Sequence, residues 1–191
     1  VRETSDRDLE ARINNHLGTL YWENGRTEKS LSCYKEAYRN YEMEQNKIGM
    51  TNTLRNIGKS MHGLEKLDSA YFYLDRAFVF AKNENLESQM AYILSSMGSI
   101  YAEKGLYEKA LAYQKESLNY SRIQNTKSSC YYAIGESYVN IQKLDSALLY
   151  VDSALMSKDL YVKCSANWLL YTICLKKQDY KKACTYNERY L

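Results

Sequence analysis

Small and large apolar positions follow one another along this chain in an order that returns. In "HLGTLYWENGRTEKSLSCYKEA", from His16, a glycine sits inside an apolar phrase of helical spacing. The same phrase returns as "NIGKSMHGLEKLDSAYFYLDRA" from Asn56, "SMGSIYAEKGLYEKALAYQKES" from Ser96 and "AIGESYVNIQKLDSALLYVDSA" from Ala133. The glycines are Gly18, Gly58, Gly98 and Gly135, and a fifth, degenerate copy, "LLYTICLKKQDYKKACTYNERY", has Tyr171 in that place. A side chain of size follows three residues on: Tyr21, Met61, Tyr101, Tyr138 and Cys174. Small residues stand twelve places on, at Ser30, Ala70, Ala110, Ala147 and Ala183, and nineteen on, at Ala37, Ala77, Ser117 and Ala154, with Tyr190 closing the last copy. Gly25 and Gly105 break the apolar phrase between these markers, and polar Glu65 and Gln142 take that place elsewhere.

Each copy therefore predicts two helices joined by a tight turn, the first carrying the glycine and the second both small residues. Glycine inside a helix costs about 1 kcal/mol against alanine, so its recurrence needs a compensating close approach. The expected partner is the small residue of the antiparallel helix. One such pair cannot bury its own apolar face, whereas stacked pairs can, which predicts a solenoid. Proline is absent, in keeping with unbroken helices. Glycine-to-glycine spacing is 40, 40 and 37, and the step to Tyr171 is 36. The residues beyond the third small position predict prolonged second helices. Ser5 and Asp8 fit a capping box, which predicts a helix start near residue 6.

This register resembles the tetratricopeptide repeat (TPR), over roughly residues 11 to 191. The resemblance implies an all-α fold: a right-handed TPR superhelix of about five antiparallel helix pairs. The repeats would be 11–50, 51–90, 91–127, 128–163 and a truncated 164–191, in a single array belonging to a longer protein. Two features depart from the family pattern. Its tryptophan is replaced by Asn14, Leu54, Leu94 and Tyr131, and its closing proline is missing. The phrases "KLDSAYFYLDRA" and "KLDSALLYVDSA" resemble segments of Bacteroidetes TPR regulators, in which such arrays serve as sensor regions.

By the same resemblance, the first helices line a concave peptide-binding groove. Its residues would be Arg12, Asn15, His16 and Trp22 in the first copy, and Asn52, Arg55, Asn56 and Lys59 in the second. Tyr92 and Ser96 follow in the third, Tyr132 in the fourth and Trp168 in the fifth. One half of that groove is polar and basic, the other aromatic. Asparagines can pair with a peptide backbone, arginines with carboxylates, and aromatic rings can anchor apolar side chains. A peptide with an acidic end and a hydrophobic end would fit. The competing reading is an ordinary solvated helix face. The carboxylate clamp of chaperone-binding TPR domains is not matched, because Asn15 and Thr19 stand where it has lysine and asparagine.

Composition narrows the chemistry. The net charge is +3, too small an excess to imply nucleic-acid or membrane binding by electrostatics alone. The longest apolar run, "WLLYTICL" at 168–175, is far too short to span a bilayer. Five cysteines at 33, 130, 164, 174 and 184 include no Cys-x-x-Cys, so they read chiefly as small buried hydrophobes, with a Cys174–Cys184 pairing as the alternative. Their usage leans towards a reducing compartment such as the cytoplasm, whereas the regulator resemblance implies a periplasm-facing region. His16 and His62 lack ligand spacing, and no phosphate loop or nucleophile motif occurs, so neither a cofactor, a metal nor catalysis is expected. Most of the twenty tyrosines are expected in packing, with Tyr21, Tyr34, Tyr101, Tyr107, Tyr138 and Tyr180 at equivalent interior places. Three functions stay open: a protein- or peptide-binding scaffold, self-association through an uncapped final repeat, and a small-ligand sensor using Trp22 or Trp168 as a platform.

Overall fold

The computed structural model describes residues 2–190, apart from the side chains of 2–5, 125, 189 and 190. The described residues form ten helices and no strand. They run α1 (Arg2–Glu23), α2 (Thr27–Met43), α3 (Lys47–Gly63), α4 (Leu67–Asn83), α5 (Glu87–Glu103), α6 (Tyr107–Tyr120), α7 (Gln124–Asn140), α8 (Leu144–Ala154), α9 (Leu160–Lys176) and α10 (Tyr180–Tyr190). Two compact units divide the chain, Val1–Ser96 and Met97–Leu191. Hairpins α1–α2 and α3–α4 build the first unit. In the second, the last turns of α5 pack on α6, followed by hairpins α7–α8 and α9–α10.

Within each copy the two helices are joined by three residues, and the middle one has a left-handed backbone: Gly25 (φ 71°), Glu65 (58°), Gly105 (72°), Gln142 (61°) and Gln178 (62°). The third residue of the turn returns its N–H to the carbonyl of the residue three after the glycine, as in Arg26 to Tyr21 at 2.8 Å, Leu106 to Tyr101 at 2.9 Å and Lys143 to Tyr138 at 2.9 Å. This is the six-to-one bond of a Schellman ending, which satisfies carbonyls that the helix end leaves free. The recurring spacing from glycine to large side chain is thus also the spacing from the helix crossing to the helix stop.

The uneven repeat length has a simple source. The first helices α3, α5, α7 and α9 are all 17 residues long. The second helices shrink from 17 residues in α2 and α4 to 14 in α6 and 11 in α8. Between Ala37 and Gly58 the chain finishes α2 at Met43, turns, and restarts at Lys47, so much of the extra sequence opens the next first helix. Prolonged second helices account for only part of it. The inner hairpins begin at Lys47, Glu87, Gln124 and Leu160, ahead of the glycine-based boundaries at 51, 91, 128 and 164. At the chain start, α1 already runs through residues 2–5, so Ser5 lies inside a helix rather than at its cap. Its side chain is outside the described residues, as is that of Tyr190.

The glycines pack differently from the expectation of glycine on alanine. A Cβ on Gly58 would lie 2.8 Å from Leu74 Cγ, one on Gly98 2.8 Å from Gln114 Cγ, and one on Gly135 2.3 Å from Val151 Cγ2. On Gly18 it would meet the Tyr34 ring at 2.6 Å. These partners all stand sixteen residues after their glycine. The small residue at plus twelve contributes only its carbonyl, as Ala70 does 3.2 Å from the Gly58 position. Its side chain points on to the next copy: the Ser30 and Ser60 hydroxyls lie 3.2 Å apart in the buried interior. In the second unit Ser117 approaches Cys130 Sγ at 3.3 Å, and Ser137 donates to Gln114 Oε1 at 3.0 Å. The register is therefore one large side chain filling the glycine notch, while the small residues let the next hairpin come close.

Two packing expectations need correction. Of the six tyrosines, Tyr34 is buried, Tyr21, Tyr101, Tyr107 and Tyr138 are half-buried, and Tyr180 is 64% exposed. A phenol buries its ring more readily than its hydroxyl, so it settles at helix margins. All five cysteines are free thiols, and only Cys130 and Cys174 are buried. Burial pushes the Cys174 thiol pKa up.

Candidate functional site

The first unit carries a recess between α1 and α3. In both helices the residue three before the glycine, Asn15 or Arg55, faces the recess, and one helical turn on come Thr19 and Lys59. Asn52 and Asn56 stand beside Arg55 on α3, and His16, Leu20, Trp22 and Glu23 complete the α1 side, with Tyr34 at the floor. The volume is about 630 Å³. A second hollow of about 480 Å³ shares Arg55, Asn56 and Lys59 and adds Tyr92, Ser95 and Ser96 of α5, all within the first unit.

The polar groups hold one another in place. Asn56 donates from Nδ2 to Asn15 Oδ1 at 3.2 Å, and Arg55 Nη2 donates to Asn56 Oδ1 at 3.3 Å. Thr19 donates to the Asn15 carbonyl at 3.1 Å and lies 3.1 Å from the Tyr34 hydroxyl. Lys59 Nζ sits 3.5 Å from the centroid of the Trp22 ring, and the Arg55 guanidinium carbon 5.7 Å from that of Tyr92. Aromatic faces steady both cations without neutralising them.

Charge is left unbalanced here. Among the described residues no carboxylate lies within ion-pair distance of Arg55 or Lys59. Burial lowers the Arg55 pKa, against smaller opposing effects of Tyr92 and Tyr34. Burial, and then the charge of Arg55, lower that of Lys59, with Glu23 pulling the other way. Two cations in a half-enclosed recess that repel each other are in the state that an arriving anion relieves.

The remaining expected residues are dispersed. Arg12 lies outside the recess, beside Leu9, Ile13, His16, Leu17 and Leu20 in an apolar hollow of about 290 Å³ along α1. Tyr132 and Trp168 belong to the second unit. Tyr132 donates to Glu136 Oε1 at 3.2 Å, and burial, reinforced by that carboxylate, holds its hydroxyl well above the usual phenol range. Trp168 packs on Tyr171 with centroids 5.2 Å apart and is 47% exposed. Tyr34, Leu20 and Glu23 were not expected in the recess. The signal for Tyr34 was its place sixteen after the glycine, where Leu74 and Val151 are wholly apolar and only a phenol reaches past the notch.

The family model of the tetratricopeptide repeat matches residues 11–42 and 91–123, and the helix-hairpin register just described is similar to that repeat. No curated protein matches the chain in sequence. Solved structures match its fold. BtubC (BKLC) from P. vanneervenii superposes with a TM-score of 0.80 at 17% identity, covering 99% of this chain and 88% of that one. MamA from Desulfovibrio magneticus RS-1 gives 0.69 at 15% identity, covering 95% and 93%. A Rap protein complexed with competence and sporulation factor gives 0.81 at 17% identity, covering 95% of this chain and 53% of that one. The chain thus spans about half the length of the Rap protein. All these likenesses concern the fold, which is that of TPR-type helical-repeat proteins.

No helix among the described residues is long and apolar enough to cross a membrane.

Proposed function

We propose that this chain is a non-catalytic recognition module, binding an acidic protein or peptide segment through the recess of its first unit. The observation that carries the proposal is the pair of cations, Arg55 and Lys59, without a carboxylate partner among the described residues and beside Asn15, Asn52 and Asn56. In this reading a side-chain or terminal carboxylate pairs with Arg55, the asparagines take the peptide backbone, and Trp22 bounds the site. The module would serve as the recognition or sensor region of a bacterial regulatory protein. Support for that role comes from the sequence resemblance to TPR regulators and from the fold shared with a Rap protein complexed with competence and sporulation factor.

The test is selection from a random 12-residue peptide display library on the immobilised chain. Enriched peptides should carry Asp or Glu well above library frequency, and Arg55→Ala with Lys59→Ala should abolish the enrichment. Equal recovery from wild type and double variant, or enrichment without acidic bias, would refute the reading.

A further inference from the structure

Arg55, Asn56 and Lys59 border two hollows. The larger, about 630 Å³, opens towards α1, and the smaller, about 480 Å³, towards α5. Each falls within the roughly 300–1,000 Å³ that ligand clefts occupy, so each can hold part of a ligand. Each also has its own aromatic wall. Trp22 closes the α1 side, with Lys59 Nζ 3.5 Å from its ring centroid. Tyr92 stands on the α5 side, its centroid 5.7 Å from the Arg55 guanidinium carbon. The two cations are about one helical turn apart on α3, so they form a single charged ridge with a hollow on either flank.

Hydrogen bonding gives that ridge a direction. Arginine has donors and no acceptor, so the oxygen of Asn56 must be the end that faces it, at 3.3 Å. Asn56 Nδ2 is then turned to Asn15, whose side-chain oxygen accepts at 3.2 Å. Both amide oxygens are thereby used inside the protein. The Asn15 amide nitrogen and the second amide hydrogen of Asn56 are left to a visitor. Such donors match the carbonyl oxygens of a peptide backbone. Asn15 offers one in the larger hollow, and Asn56 stands where the two hollows meet.

A chain that stopped at its carboxylate would fill one hollow and leave the other, with its aromatic wall, to solvent. A chain that runs through uses both. Building on the reading of Arg55 as a carboxylate site, we infer that it takes an acidic side chain inside an extended segment, not a free C-terminus. The acidic residue sits over the Arg55–Lys59 ridge. On one side of it the segment lies in the larger hollow against Trp22, with a backbone carbonyl on Asn15. On the other side it lies in the smaller hollow, beside Tyr92 and Ser96. The partner is therefore a protein segment with an internal Asp or Glu, flanked on both sides by residues whose apolar parts can meet a ring.

The test selects on the full chain from two random peptide display libraries, one fused to its carrier through the C-terminus and one with the C-terminus free. Both should enrich Asp or Glu, at internal positions in each. Enrichment confined to the free-ended library, or acids gathered at its last residue, would overturn the inference. No acidic bias in either library would sink the carboxylate reading itself, and the inference with it. A selected peptide is then made synthetically and read by fluorescence anisotropy. Amidating its C-terminus should change the affinity less than about twofold, and removing the residues on either side of the acid should weaken it about tenfold or more. Ser96→Trp, which fills the smaller hollow, should weaken the whole peptide about tenfold and leave one of the two shortened peptides unchanged. Binding lost on amidation, or kept when either flank is removed, would contradict the through-running segment.

Discussion

The same register places carry opposite chemistry in the two units. Three residues before the glycine stand Asn15 and Arg55 in the first unit, and Tyr132 and Trp168 in the second. In the first, these side chains join a hydrogen-bonded, cation-rich recess. In the second, Tyr132 donates to Glu136 and Trp168 leans on Tyr171. Behind these faces the packing is nearly identical, with a glycine notch filled from sixteen residues on and a left-handed turn between the helices. Packing thus constrains the notch, the small residues and the turn, and it leaves the outer turns of the first helices free to specialise.

If the packing is common to both units, damaging it should harm either one. Gly58→Ala and Gly135→Ala should each cost about 1–3 kcal/mol in urea melts, because the new Cβ meets Leu74 or Val151 well inside contact distance. A loss below about 0.5 kcal/mol at both would dissolve the shared half of the comparison.

If the faces are specialised, their substitutions should separate. Arg55→Ala should weaken a library-selected acidic peptide about tenfold or more, while Trp168→Ala changes its affinity less than about twofold. Equal losses from both would mean that the two faces do not differ in what they recognise.

The cationic recess should also burden the unliganded fold. Lys59→Met should raise the melting temperature by about 1 °C, since it removes a partly desolvated charge that lacks a carboxylate partner. The sign with pH follows from the lowered folded pKa of Lys59. Below that value the lysine is charged in both states and the folded state bears the cost. As pH rises from there towards the ordinary lysine value of 10.5, the unfolded chain keeps the proton that the fold has released, and wild-type stability gains. The gap between Lys59→Met and wild type should therefore be widest near neutrality and narrow towards pH 10.5. A gap that widens with pH would contradict the assignment.

The smallest effect concerns the turns. Gln142→Gly should stabilise by about 0.5–1 kcal/mol, as a side chain at φ 61° gives way to the residue that tolerates it. Glu65→Gly should do the same in the first unit.

Much of this fold was legible in the sequence because its markers are forced by packing. Only a glycine fits under Leu74, and only a small residue lets Ser30 approach Ser60. Gly25, Glu65 and Gln142 announced the turns. The partner of each glycine was misjudged because the small residue at plus twelve lies closest along the backbone, whereas its side chain serves the next copy. Asn15, His16 and Trp22 of α1 and Asn52, Arg55, Asn56 and Lys59 of α3, which the register sets on first-helix faces, line the recess. Its floor was not foreseen, because Tyr34 reads as core until its hydroxyl is seen beside Thr19. Arg12 was drawn to the groove by register alone, and the structure sets it beside Leu9, Ile13 and Leu17 along α1 instead.

The central claim is that Arg55 recognises a carboxylate. Its most direct test is a double-mutant cycle by isothermal titration, crossing Arg55→Ala in the chain with Asp→Asn or Glu→Gln in the library-selected peptide. The account predicts a coupling energy of about 1.5–3 kcal/mol, the range for a charged hydrogen-bonded pair. Additive effects, with a coupling below about 0.3 kcal/mol, would contradict it.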